Sequence, residues 1–124
     1  MKYRDNKITE KRDNERVELT GYLVKTIDIP LNSPVIVRDV SMEGLRLIRV
    51  PSKFAYRESP TVIIVSGNRL SECYKLTIMP CWRKKNALYW DVGFYIYRAP
   101  VSWKRFVKIK KMQAKKNRGV LGSL

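Results

Sequence analysis

The chain contains no histidine, and its 26 lysines and arginines outnumber 11 acidic residues. Without an imidazole there is no Ser–His or Cys–His nucleophile pair and no histidine general base. The carboxylates are few and scattered, so paired acid–base chemistry has little to work with and an enzyme is not expected. There are two cysteines, Cys73 and Cys81, eight positions apart in an expected strand. Eight extended residues span roughly 26 Å, beyond the reach of a disulfide. Both therefore read as free thiols in a reducing cytoplasm. With no histidine and no acidic cluster beside them, a metal site is not expected and no cofactor is implied. No apolar run approaches the roughly eighteen residues of a membrane-spanning helix, so no transmembrane segment is expected. The opening "MKYRDNKITEKRDNER" lacks the apolar core of a secretory signal.

Against these absences stands a net charge of +15 on 124 residues. Such an excess calls for an anionic partner: nucleic acid, a phosphorylated small molecule or an acidic protein surface. The charge is uneven. From Trp103 to Arg118 there are eight Lys or Arg and no acid, whereas acids and bases interleave elsewhere.

The middle of the chain is a succession of strand signals. "VELTGYLVKTID" (17–28) is rich in β-branched and aromatic residues and alternates, and "IPLNSP" breaks it. "VIVRDV" (35–40) and "LRLIRV" (45–50) flank the short link "SMEG". "TVIIVS" (61–66) follows the proline-bounded loop "PSKFAYRESP", and Gly67-Asn68 reads as a two-residue hairpin turn. "ECYKLTIMPCWR" and "ALYWDVGFYIY" flank "KKN", read as another turn. Six strands with short links predict a small antiparallel β-barrel or sandwich over residues 17–100. After Pro100, Trp103, Phe106, Ile109 and Met112 recur every three residues beside Val107, with lysines between. This predicts a basic amphipathic helix over 101–118 whose apolar side packs on the barrel, with 119–124 as a frayed tail. Trp82 and Trp90 read as core or cross-strand packing rather than as stacking platforms.

Residues 1–16 form a polar N-terminal segment in which "RDN" occurs twice. Only the second copy has another arginine four residues on, giving Arg12 and Arg16. Further along, "DVSMEG" places Asp39, Ser41 and Gly44 between the second and third strands, where Gly44 is expected to take the positive φ of a tight connection. Alone, that triplet is a hairpin with ordinary turn residues.

R-x-x-x-R followed by D-x-S-x-x-G, ahead of a barrel and a helix, resembles the PilZ family of bacterial receptors for cyclic di-GMP. The likeness runs from about Lys11 to Tyr97 and includes "CWRK" (81–84) and the final strand "VGFYIY" (92–97), where phenylalanine follows Gly93 directly. The resemblance implies a six-stranded split β-barrel with a C-terminal helix, and a receptor that binds nucleotide without transforming it. It implies ligand contacts from Arg12, Arg16, Asp39, Ser41 and Gly44, with Lys11 as a further phosphate contact. It also implies that ligand orders the arginine segment and alters contacts with a protein partner, with output in motility, pili, biofilm or virulence. The chemistry suits that ligand on its own terms. Arginine meets phosphate or the guanine O6/N7 edge with two parallel bonds, and a carboxylate accepts from guanine N1–H and N2–H₂. Two alternatives stand beside it: a small basic barrel that binds nucleic acid through its lysine-rich helix, and a PilZ-like adaptor that does not bind the nucleotide.

Overall fold

The computed structural model describes residues 15–122. The elements run β1 (Val17–Glu18), β2 (Leu23–Thr26), β3 (Val35–Val40), β4 (Gly44–Val50), α1 (Ser52–Ala55), β5 (Thr61–Ser66), β6 (Cys73–Asn86), β7 (Tyr89–Arg98) and α2 (Val101–Gly122). Every strand pairing is antiparallel. β2, β3, β4, β7, β6 and β5 form a closed ring, and the two-residue β1 extends it beside one end of β3. The expected barrel and C-terminal helix are therefore what the chain forms. No helix among the described residues is long and apolar enough to cross a membrane.

Alternation builds the core. Val35 and Val37, Leu45 and Leu47, Ile63 and Val65, Leu76 and Ile78 point inward at period two and are fully buried. The ends are filled from outside the ring. Pro51 accepts the amides of Phe54 and Ala55, folding α1 so that Phe54 lies 5.2 Å, centroid to centroid, from Phe94. From α2, Trp103 is fully buried, and the Phe106 ring packs 5.4 Å from Tyr22 and 4.9 Å from Tyr74.

Several sequence expectations change. The strand expected over 17–28 divides into β1 and β2, because Gly21 at φ +85° turns the chain between them. Both halves run beside β3, which continues the pairing through Leu19 N–H to the Arg38 carbonyl. Gly67-Asn68 is not a two-residue turn: Ser66 pairs with Cys73, and Gly67 N–H donates to the Glu72 carbonyl across a six-residue link. Gly67 is needed for closeness instead, since a Cβ there would sit 2.6 Å from the Tyr22 ring. "KKN" stays in β6, and the turn falls at Ala87-Leu88, with Ala87 at φ +56°. The loop expected at 51–60 holds α1, and α2 continues to Gly122 past the expected end.

Ile109 and Met112 are exposed rather than packed. A three-residue repeat lags the 3.6-residue turn by about 60° at each step, so the two rotate away from Trp103 toward solvent. Cys73 and Cys81 are both exposed and unpaired, and a register shift between Pro80 and Trp82 breaks the even spacing between them.

Candidate functional site

β1 is two residues long, yet it settles where Arg16 lies. Val17 pairs with Val40 and Glu18 with Asp39, which draws Arg16 alongside the end of β3. There Arg16 Nη1 donates to Asp39 Oδ1 at 2.7 Å. The arginine side chain is 48% exposed and the carboxylate 11%, so the pair stands at the surface with its acid half sheltered.

Two residues on, the link between β3 and β4 closes on itself. Ser41 N–H donates to the Gly44 carbonyl at 2.8 Å, and Gly44 N–H donates to Ser41 Oγ at 3.1 Å. The same hydroxyl lies 3.3 Å from the Gly44 carbonyl, and Ser41 is only 2% exposed. Ser41 thus fixes the turn that presents Asp39. Gly44 does not take the positive φ expected of it. It is glycine because a Cβ would meet the Phe94 carbonyl oxygen at 2.9 Å, where β4 lies on β7. Arg12 and Lys11 lie outside the described residues. Arg16, Asp39, Ser41 and Gly44 are brought to one end of the β3–β4 pair.

The register extends the site along the outer face of the barrel. Asp39 is opposite Arg46, Arg46 opposite Gly93, and Gly93 opposite Trp82, so one row crosses β3, β4, β7 and β6. Gly93 makes room for the indole, which occupies the space a Cβ would take, at 2.1 Å. Trp82 is 41% exposed, with the Arg46 guanidinium 5.9 Å from its ring centroid. It packs across strands as expected, but on the outside, with part of the ring exposed. Arg46 Nη2 donates to Asp91 Oδ2 at 3.0 Å, while its buried Nε has no partner among the described residues.

Beside that row is a cleft of about 400 Å³ lined by Arg38, Arg46, Arg49, Asn86, Tyr89 and Asp91 over Ile48. Two irregularities supply its arginines. Arg38 is the extra residue where β3 shifts register between Val37 and Asp39, and Arg49 sits in the shift between Leu47 and Val50 at φ +62°. A bulged strand re-aims side chains that regular alternation would place elsewhere. The Arg49 guanidinium lies 5.2 Å from the Tyr89 ring centroid, and Ser33 donates to the Tyr89 oxygen at 3.4 Å. The Ser33 bond lowers the Tyr89 phenol from its ordinary value; burial opposes it, and the Arg49 charge and hydrogen bond add smaller lowering effects.

Arg38, Arg46, Arg49, Tyr89 and Asp91 were not among the sequence candidates. A signal existed: single arginines inside apolar strand runs, as in "VIVRDV" and "LRLIRV", face outward somewhere. Together the arrangement offers guanidinium forks for phosphate, aromatic faces for a base, and carboxylates that accept from base N–H groups. No family model, curated protein or solved structure matches the chain.

Proposed function

We propose that the chain is a receptor for cyclic di-GMP of the PilZ type, binding the nucleotide at the outer face of the barrel without transforming it. The observation that carries this reading is the Arg16–Asp39 contact at 2.7 Å. It joins the second arginine of R-x-x-x-R to the first residue of D-x-S-x-x-G across 23 positions. A guanidinium beside a carboxylate matches guanine well. The O6/N7 acceptors and the N1–H/N2–H₂ donors lie on adjoining edges of the base, and adenine cannot present the same set. Arg16 takes the first edge and Asp39 the second.

The remaining groups divide the work. Ser41 and Gly44 hold the turn that aims Asp39. Arg12 and Lys11 add charge for the phosphates. The exposed part of the Trp82 ring accepts a purine by stacking. Arg38 and Arg46 lie on the same outer face and offset the two negative charges of the ring. Each charge-assisted bond contributes on the order of 1.5–3 kcal/mol, so two arginines and an Asp–guanine edge reach micromolar affinity, about 8 kcal/mol, after ordering costs.

The setting is the cytoplasm, a reducing compartment in which two exposed thiols remain unpaired. The response passes to a protein partner, with motility, pilus, biofilm or virulence as the class of output. Calorimetric titration with cyclic di-GMP, against GMP, tests the reading in wild type, Arg12→Ala and Arg16→Ala. Saturable binding of the cyclic dinucleotide alone, weakened about tenfold or more in either variant, supports it. Wild-type protein that gives no heat with cyclic di-GMP refutes it.

A further inference from the structure

The outward side of α2 carries Lys104, Lys108, Lys111 and Lys115, spaced by four, three and four residues. At about 100° and 1.5 Å per residue these four fall within about 60° of one another, on a line about 16 Å long. Lys104, Lys108 and Lys115 are exposed and Lys111 is half-buried. Where the stripe meets the β3–β4 turn, a cavity of about 320 Å³ is lined by Met42, Glu43, Lys104, Lys108 and Lys111. Glu43 is the one carboxylate lining that cavity. Ile109 lies on the other side of the helix from the lysines.

We infer that this stripe is a sequence-independent site for the phosphodiester backbone of nucleic acid. Three observations choose that occupant. First, the stripe is made of lysines, point charges that neutralise phosphates and release counterions; one strand of B-DNA presents about five phosphates along 16 Å. Second, protein–protein interfaces are depleted in lysine and rely on aromatic and arginine anchors, and the stripe holds none. Third, a helix that lies in a membrane surface needs its main apolar side free. Here the aromatic part of it, Trp103 and Phe106, is buried against the barrel with Val107, leaving Val101, Ile109 and Met112 as its large exposed apolar side chains among the described residues. The inference stands on α2 alone and does not use the proposed nucleotide site.

The test is fluorescence anisotropy with a short labelled DNA duplex of arbitrary sequence, titrated at several KCl concentrations. Wild type is compared with Lys104→Gln/Lys108→Gln/Lys111→Gln/Lys115→Gln. A charge-matched control, Lys25→Gln/Lys53→Gln/Lys75→Gln/Lys84→Gln, changes exposed lysines of the barrel and α1. Wild type is expected to bind with a steep salt dependence. The stripe variant should lose about one unit of log–log salt slope per lysine, and on the order of a hundredfold in affinity, while the control keeps most of both. Should the fourfold variant melt, Lys104→Gln/Lys108→Gln carries the same expectation at half the change in slope. Equal losses in stripe and control variants, or no duplex binding by wild type, overturn the inference. So does tighter binding of poly-glutamate or of anionic phospholipid vesicles than of duplex at the same ionic strength.

Discussion

Arg16 and Asp39 touch across the β1–β3 pairing, Nη1 to Oδ1 at 2.7 Å, with the arginine half-exposed and the carboxylate sheltered. An ion pair with one exposed member contributes at most about 1 kcal/mol to stability. Its value on this surface is the side-by-side donor and acceptor it presents. Asp39→Ala should therefore lower urea stability by less than about 1 kcal/mol while weakening cyclic di-GMP binding more than about tenfold. Parallel losses in stability and affinity would instead make Asp39 a structural residue.

Ser41 behaves in the opposite way. Its buried hydroxyl accepts from the Gly44 amide at 3.1 Å, and Ser41→Ala leaves that amide short of a partner. Chemical denaturation should show a loss of about 1–2 kcal/mol.

Two glycines are irreplaceable for different reasons, and alanine separates them. At Gly44 the added Cβ meets the Phe94 carbonyl at 2.9 Å, so the β4–β7 ladder itself must move. Gly44→Ala should cost about 1–3 kcal/mol in a denaturant titration. At Gly93 the added Cβ meets the Trp82 indole, a side chain that can swing outward. Gly93→Ala should raise the acrylamide quenching of tryptophan fluorescence, with a smaller loss of stability than Gly44→Ala.

Tyr22 and Tyr74 link stability to alkaline pH. Burial, then the hydrogen bond to Glu72 and the Glu72 charge, push the Tyr22 phenol well above its ordinary value of 10.0. Tyr74 is raised in the same direction, by burial first and then by Glu72. Above pH 10 the unfolded chain releases these protons and the folded chain keeps them. Stability contributed by both is thus present below pH 10 and lost as pH rises toward the folded values. Tyr22→Phe should flatten the fall in thermal midpoint between pH 10 and 11, and absorbance at alkaline pH should show Tyr89 ionising before Tyr22 and Tyr74. A fall as steep as that of wild type would contradict the assignment to Tyr22.

The strands were legible because alternation in stretches such as "TVIIVS" states which residues face inward, whereas their number fits a barrel or a sandwich and only the β2–β5 pairing closes the ring. The bulges at Arg38 and Arg49 were not, since an extra residue in one strand is defined only against its partner. They aim the arginines of the cleft, so most of the cleft stayed hidden while the Asp39–Gly44 turn did not. Trp82 could be placed in a strand, but Gly93 opposite it decides that its indole packs against the outer surface. In α2 the three-residue repeat marked Trp103 and Phe106 correctly, and misplaced Ile109 and Met112 because it drifts around the helix.

Backbone amide shifts in a ¹⁵N-resolved NMR titration with cyclic di-GMP test binding and its place on the surface together. The expected result is saturable shifts concentrated at Arg16, Asp39 to Gly44, Arg46 and Gly93, with the Trp82 indole N–H moving alongside them. Shifts confined to α2 or to the cleft lined by Leu23, Leu31 and Pro34 beside β2, or no shifts at saturating ligand, would contradict a cyclic di-GMP receptor built on the Arg16–Asp39 pair.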